Sequence, residues 1–133
     1  MEKEIKHSYL PFVALIVLLW WFVCPSGYAS GSEIWIAKVQ DTINPMVAEY
    51  LDELITDAEQ SRVHLVVLEL DTPGGLVEST RAIVKRIMNS DVPVVTYVAP
   101  RGARAASAGM FITIASHIAA MAPATNIGAA HPV

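Results

Sequence analysis

The chain has 133 residues and a formal net charge of -4, enough for one domain and lacking the clustered basic surface that nucleic-acid binding requires. Its single cysteine, Cys24, excludes a disulfide within the chain.

Residues 1 to 9 carry Lys3 and Lys6, an apolar run follows from Leu10 to Val23, and the small, polar "PSGYASGS" comes next. That is the three-part layout of a secretory signal. The run is shorter than the roughly 20 apolar residues of a spanning helix and contains Pro11. The two readings of residues 1 to 29 are a cleaved signal peptide, with cleavage near Ala29, and a retained N-terminal membrane anchor. The folded domain is expected over residues 30 to 133.

Within it, "EIWIAKV" predicts a strand. "INPMVAEYLDELITDAEQ" predicts a helix, with Asn44 as N-cap, Pro45 at the first helical position and an apolar stripe of Met46, Val47, Tyr50, Leu51, Leu54, Ile55 and Ala58. The nearly continuous apolar run "VHLVVLEL", with His64 inside it, predicts a strand buried on both faces of a parallel sheet. The turn "DTPGG" follows directly. Leu76 to Met88 suits a second helix, with Leu76, Val77, Ile83, Val84, Ile87 and Met88 apolar, and "VPVVTYV" suits the next strand. The loop "APRGARAA" leads to a helix of about ten residues from Ser107, a short strand "IAAMA" and the tail "TNIGAAHPV". Strand, helix, strand alternation predicts an α/β fold of repeated units with a mostly parallel sheet.

Two turns lie at strand carboxyl ends, where parallel α/β sheets bind ligands. Gly74 and Gly75 can aim two backbone N–H groups at one spot, as an oxyanion requires, or can simply satisfy a turn preset by Pro73. Ser107 opens a helix, whose unpaired N–H groups favour an alkoxide, and small neighbours Ala105, Ala106, Ala108 and Gly109 leave room for a substrate backbone. The same letters also describe an ordinary serine N-cap. Arg101 and Arg104 flank the serine, read either as holding a substrate main chain or as solvated loop charges, and Met110 and Phe111 read as core.

The stretch "VVLELDTPGGLVESTRAIVKRIMNSDVPVVTYVAPRGARAASAGMFI" together with "MAPATNIGAAHPV" resembles the protease part of NfeD-type membrane-bound serine proteases, relatives of Clp protease in the Clp/crotonase fold. The resemblance covers residues 33 to 133. It implies Ser107 as nucleophile, Gly74 and Gly75 as oxyanion-hole donors, and a membrane-associated, extracytoplasmic endopeptidase that cuts hydrophobic protein segments. It also implies a stomatin-like membrane partner and a homo-oligomer.

The resemblance pairs the serine with a lysine past the "NIGAAHP" strand, beyond Val133, so that the fold is expected to be C-terminally incomplete. Lys38 and Lys85 do not suit the role. In Clp protease a histidine follows the serine helix, which corresponds here to His131 as general base, against a reading of His131 as an idle strand-end side chain. His117 reads as a packed or capping residue, His64 as part of a buried strand, and Asp71 as fixing its own turn by an Asx-type bond. No cluster of ligands at metal spacing stands in the sequence, so no metal or other cofactor is expected. The rival readings are a non-catalytic, membrane-proximal interaction module that keeps the protease-like core, and a crotonase-type acyl-CoA enzyme, which calls for neither Ser107 nor a secretion signal. A sheet missing its later elements is expected to leave one apolar face exposed.

Overall fold

The computed structural model describes residues 33 to 130. The signal or anchor reading of residues 1 to 29 and the base assigned to His131 lie outside the described residues. The elements in chain order are β1 (Ile34–Val39), α1 (Pro45–Ser61), β2 (Leu65–Leu70), α2 (Val77–Met88), β3 (Val94–Val98), β4 (Arg104–Ala106), α3 (Ala108–Ala115), β5 (Ile118–Met121) and β6 (Asn126–Gly128).

Strands β1, β2, β3 and β5 form one parallel sheet in that order. Because each crossover moves one strand onward in the same direction, crossovers of one hand put all the helices on one face. The core reflects this. One row of strand residues, Ala37, Val39, Val66, Leu68, Leu70, Val94 and Val98, packs with Leu51, Ile55 and Ala58 of α1, Ile83 and Ile87 of α2 and Ile112 of α3.

The opposite row is Ile34 and Ile36 on β1, Leu65 and Val67 on β2, Val95 and Tyr97 on β3, and Ile118 on β5. It remains exposed or half-exposed, with Ile36 at 66%. The expected bare apolar face is therefore present. The expectation that β2 is buried on both faces is corrected for the same reason: its residues alternate half-buried and buried along the strand.

Helix α1 starts as its sequence dictates. Asn44 is extended, its side chain accepts the Val47 N–H at 3.0 Å, and Pro45 takes the first helical position, where its missing N–H is no loss. At the other end Arg62 turns left-handed (φ 55°) and its N–H caps the Ala58 and Glu59 carbonyls. That cap carries Val63 into the helix end and leaves His64 exposed before β2 begins, so His64 is not part of a buried strand. Met46 and Tyr50 also leave the predicted stripe; Met46 is 79% exposed. Helices α1 and α2 are tied by Arg86, which reaches Asp52 at 2.9 Å and Glu59 at 2.7 Å.

Beyond the strand carboxyl ends the chain builds a second, smaller layer. β4 pairs in parallel with β6, and isolated bridges join Thr72 to Ala105 and Ile43 to Gly75. β4 lies in the stretch read as a polar loop. This layer carries both turns of interest.

Candidate active site

Ser107 stands between β4 and α3. Its backbone has φ 50° and ψ -110°, a conformation that L-residues other than glycine rarely adopt. An N-cap has extended dihedrals and a side-chain oxygen bonded to the first-turn N–H groups; Ser107 has neither, and its hydroxyl makes no cap hydrogen bond. The cap reading is thereby set aside. The Ser107 N–H donates to the Gly128 carbonyl at 2.8 Å and its carbonyl accepts the Met110 N–H at 3.0 Å. The half-buried side chain lies on the wall of a groove.

Gly74 packs directly on the serine. A Cβ there would lie 2.9 Å from the Ser107 Cβ, and φ is 117°. Gly75 is needed for another reason: a Cβ would collide with the Ile43 carbonyl oxygen, inside the bridge that ties the turn to the segment between β1 and α1. Each glycine thus has a backbone reason of its own. Their N–H groups differ. That of Gly74 donates to the Thr72 hydroxyl at 3.1 Å, whereas that of Gly75 has no acceptor among the described residues. Ala108 is the first helical residue, so its N–H has no intrahelical acceptor either. Gly75, Ser107 and Ala108 line one groove together.

The groove holds about 600 Å³ and runs between α2 and α3, walled by Val77, Val84, Met88, Phe111 and Ile114. The expectation of Phe111 as core is corrected here, and of the apolar positions that predicted α2, Leu76, Val77 and Met88 lie outside its buried face. Phe111 is 45% and Met88 69% exposed, and the buried face of α2 is Ser79, Thr80, Ile83 and Ile87. Among the described residues Arg81 is the one charged side chain on the wall, exposed and 3.3 Å from Glu78.

Of the small residues around Ser107, Ala105 and Ala108 are buried, and a Cβ on Gly109 would lie 2.6 Å from the Thr72 Cγ2, so they let α3 approach the turn closely, while Ala108 also lines the groove. Asp71 does not make the expected local bond. Its Oδ1 accepts the Arg104 N–H at 3.0 Å, across to β4, and Thr72 makes the local bonds instead. Sequence reasoning passed over Thr72; the signal for it was a hydroxyl two residues before a glycine in a turn.

His117 lies at the far end of α3 from Ser107, exposed, where its Nδ1 accepts the N–H of Val94 at the start of β3 at 3.1 Å, so it neither packs in the core nor caps the helix as expected. Lys85 and the side chain of Lys38 are exposed, and Lys38 pairs with Glu69 at 3.5 Å on the bare sheet face. Arg101 and Arg104 are exposed. Among the described residues, no group of three or more His, Cys, Asp or Glu stands ready to hold a metal ion, and no helix is long and apolar enough to cross a membrane.

The chain is 44% identical over 121 residues to the membrane-bound protease PH1510 of Pyrococcus horikoshii, covering 91% of this chain and 27% of that protein. It is 31% identical over 102 residues to the membrane protein NfeD1b of Bacillus subtilis, covering 77% of this chain and 23% of that one. A solved serine-to-alanine mutant of the 1510-N membrane-bound stomatin-specific protease superposes with a TM-score of 0.73 at 43% identity, over 75% of this chain and 48% of that one. A lysine-to-alanine mutant of the same protease, in complex with a substrate peptide, gives 0.75 at 42% identity, over 78% and 48%. ClpP1 of Listeria monocytogenes, at 23% identity and a TM-score of 0.55, shares the fold. The chain therefore spans about a quarter of the curated relatives and about half of the solved protease chains. The model for the NfeD1b N-terminal domain matches residues 33–133, and with an α/β, mostly parallel, Clp-like fold the chain belongs to that family.

Proposed function

We propose that this domain is the protease part of a membrane-associated, extracytoplasmic serine endopeptidase. The observation that carries the reading is the backbone of Ser107, held at positive φ with no capping bond at the head of a helix and at the edge of an apolar groove. Backbone outliers of this kind collect at active sites, where surrounding structure enforces them.

In this reading the Ser107 hydroxyl attacks a peptide carbonyl carbon and its proton passes to a general base. The developing oxyanion is taken by the N–H groups of the Gly74–Gly75 turn, chiefly Gly75, and of Ala108, since those of Gly75 and Ala108 have no acceptor among the described residues. Collapse of the tetrahedral intermediate breaks the C–N bond, the amine leaving with the proton that the base returns, and water then hydrolyses the Ser107 ester, releasing a carboxylic acid and restoring the hydroxyl. The groove between α2 and α3 receives apolar side chains, which makes hydrophobic segments the substrate class. His131 is assigned as the base. The solved relative with its lysine replaced, in complex with a substrate peptide, favours a second reading in which a lysine beyond Val133 is the base. The stomatin-specific relatives support a stomatin-like membrane protein as substrate or partner, and self-association is part of the proposal.

Labelling of the chain with a fluorophosphonate probe tests the assignment. Labelling that Ser107→Ala and His131→Ala both abolish supports the reading with His131 as base. Loss in Ser107→Ala alone places the base elsewhere. A chain that does not label either takes its base from beyond Val133 or is an interaction module that keeps only the protease-like core.

A further inference from the structure

We propose that Thr72 is the positioning residue of the oxyanion site, its hydroxyl setting the direction of the Gly75 N–H and its methyl setting the distance to α3. The inference rests on the serine-peptidase reading above.

Thr72 is fully buried although it is polar. A hydroxyl has one proton and two acceptor positions, and Thr72 uses both functions on one residue. It accepts the Gly74 N–H at 3.1 Å and donates to the Gly74 carbonyl at 3.2 Å. The Ile43 N–H reaches the same carbonyl at 2.8 Å. A trans peptide unit is planar, with its C=O and N–H pointing in opposite directions. Holding the Gly74 carbonyl toward Thr72 and Ile43 therefore turns the Gly75 N–H the other way, away from both. Gly74 has no side chain to restrain it and glycine adopts either sign of φ readily, so the hydroxyl supplies what the turn lacks.

The other side of Thr72 reaches the second half of the site. Its methyl lies so close to Gly109 that a Cβ there would meet it at 2.6 Å. Gly109 is in the first turn of α3, directly after the Ala108 N–H. The Thr72 backbone donates to the Arg104 carbonyl at 2.7 Å and accepts from the Ala106 N–H at 3.1 Å, which fixes it to the strand leading into Ser107. One buried side chain thus touches the turn that carries one donor and the helix that carries the other. It touches no reacting atom.

The test uses the full chain with Thr72→Val, which keeps the volume and removes the hydroxyl, Thr72→Ser, which keeps the hydroxyl and removes the methyl, and Ser107→Ala. Fluorophosphonate labelling rates are measured with kcat and KM on an apolar peptide, and melting curves confirm folding. Loss of a whole oxyanion donor slows turnover by about 10²–10³. A misdirected donor is expected to slow labelling and kcat about 10- to 100-fold in Thr72→Val, with KM within about twofold, while Thr72→Ser stays within about fivefold of the parent. If Thr72→Val does not fold, Thr72→Cys, with a weak donor of similar size, is expected to be slowed about tenfold. Thr72→Val, or Thr72→Cys where Val does not fold, at the parent rate with Ser107→Ala inert overturns the role of Thr72 alone. Thr72→Ser as slow as Thr72→Val overturns the role of the hydroxyl. A parent chain that does not label overturns this inference together with the reading beneath it.

Discussion

Replacing Ser107 by glycine is expected to stabilise the fold while removing the nucleophile. A non-glycine residue held in a sparsely populated backbone region costs about 1–3 kcal/mol, and Ser107 sits there at φ 50° and ψ -110°. Its hydroxyl makes no hydrogen bond that caps the helix, so little is lost with the side chain. Glycine brings an opposing term of about 0.5–1 kcal/mol from the freedom it gains in the unfolded chain. Ser107→Ala is the reference, because it removes the hydroxyl but keeps the Cβ and the strain. The net difference, Gly over Ala, is about 1 kcal/mol, which for a domain of this size is about 4–8 °C in melting temperature. Thermal and urea unfolding of the two variants side by side measure it. A Ser107→Gly chain that melts at or below Ser107→Ala would falsify the claim that the conformation is strained, and with it the main support for the nucleophile.

Gly75→Ala is expected to lose about 3 kcal/mol or more, because its Cβ would meet the Ile43 backbone, which cannot move aside as a side chain can; urea unfolding checks this. Asn44→Ala removes the cap of α1 and is expected to lose about 1 kcal/mol in the same assay, while Asn44→Asp keeps it. The Arg86 guanidinium, hydrogen-bonded to Glu59, holds that carboxyl below its ordinary value of 4.5, with the Asp91 N–H assisting and burial opposing. Since the folded state lowers this value, the stabilisation is fully present above the unfolded value and is lost as pH falls through the folded one. Glu59→Gln is therefore expected to melt below the parent at pH 7, with the gap closing as the pH drops below about 4.5. A gap that stays constant with pH would show that the ion pair is not its source.

The order of strands and helices could be read from the sequence because alternating apolar runs and the Asn44-Pro45 start are local signals. What could not be read is which apolar residues the core absorbs. Met88 and Phe111 have the spacing of a helix face turned to the interior, yet they wall the groove. Periodicity reports that a face is apolar and says nothing of what it faces. In the same way "LVVLEL" satisfies the pattern of a strand covered on both sides, while the alternation of burial along β2 shows cover on one. β4 was missed because three residues of strand inside a run of Gly, Ala and Arg leave no period to detect. Its pairing depends on β6, more than 20 residues away.

The two readings of Ser107 had the same letters because a cap and a nucleophile both require a serine at the start of a helix. Only the dihedrals distinguish them, and those are set at a distance. β4 is paired on one side with Thr72 and on the other with β6, so the strand enters Ser107 from a fixed direction. Close packing of Thr72 and Ala105 on Gly109 then sets where α3 must begin. Ser107 is the single residue that must join the two, and its positive φ is the turn that makes the junction. The strain therefore belongs to neither the serine nor its helix alone. It follows from pairing a strand and docking a helix with one residue between them, which puts Ser107 next to Ala108 on the wall of the groove.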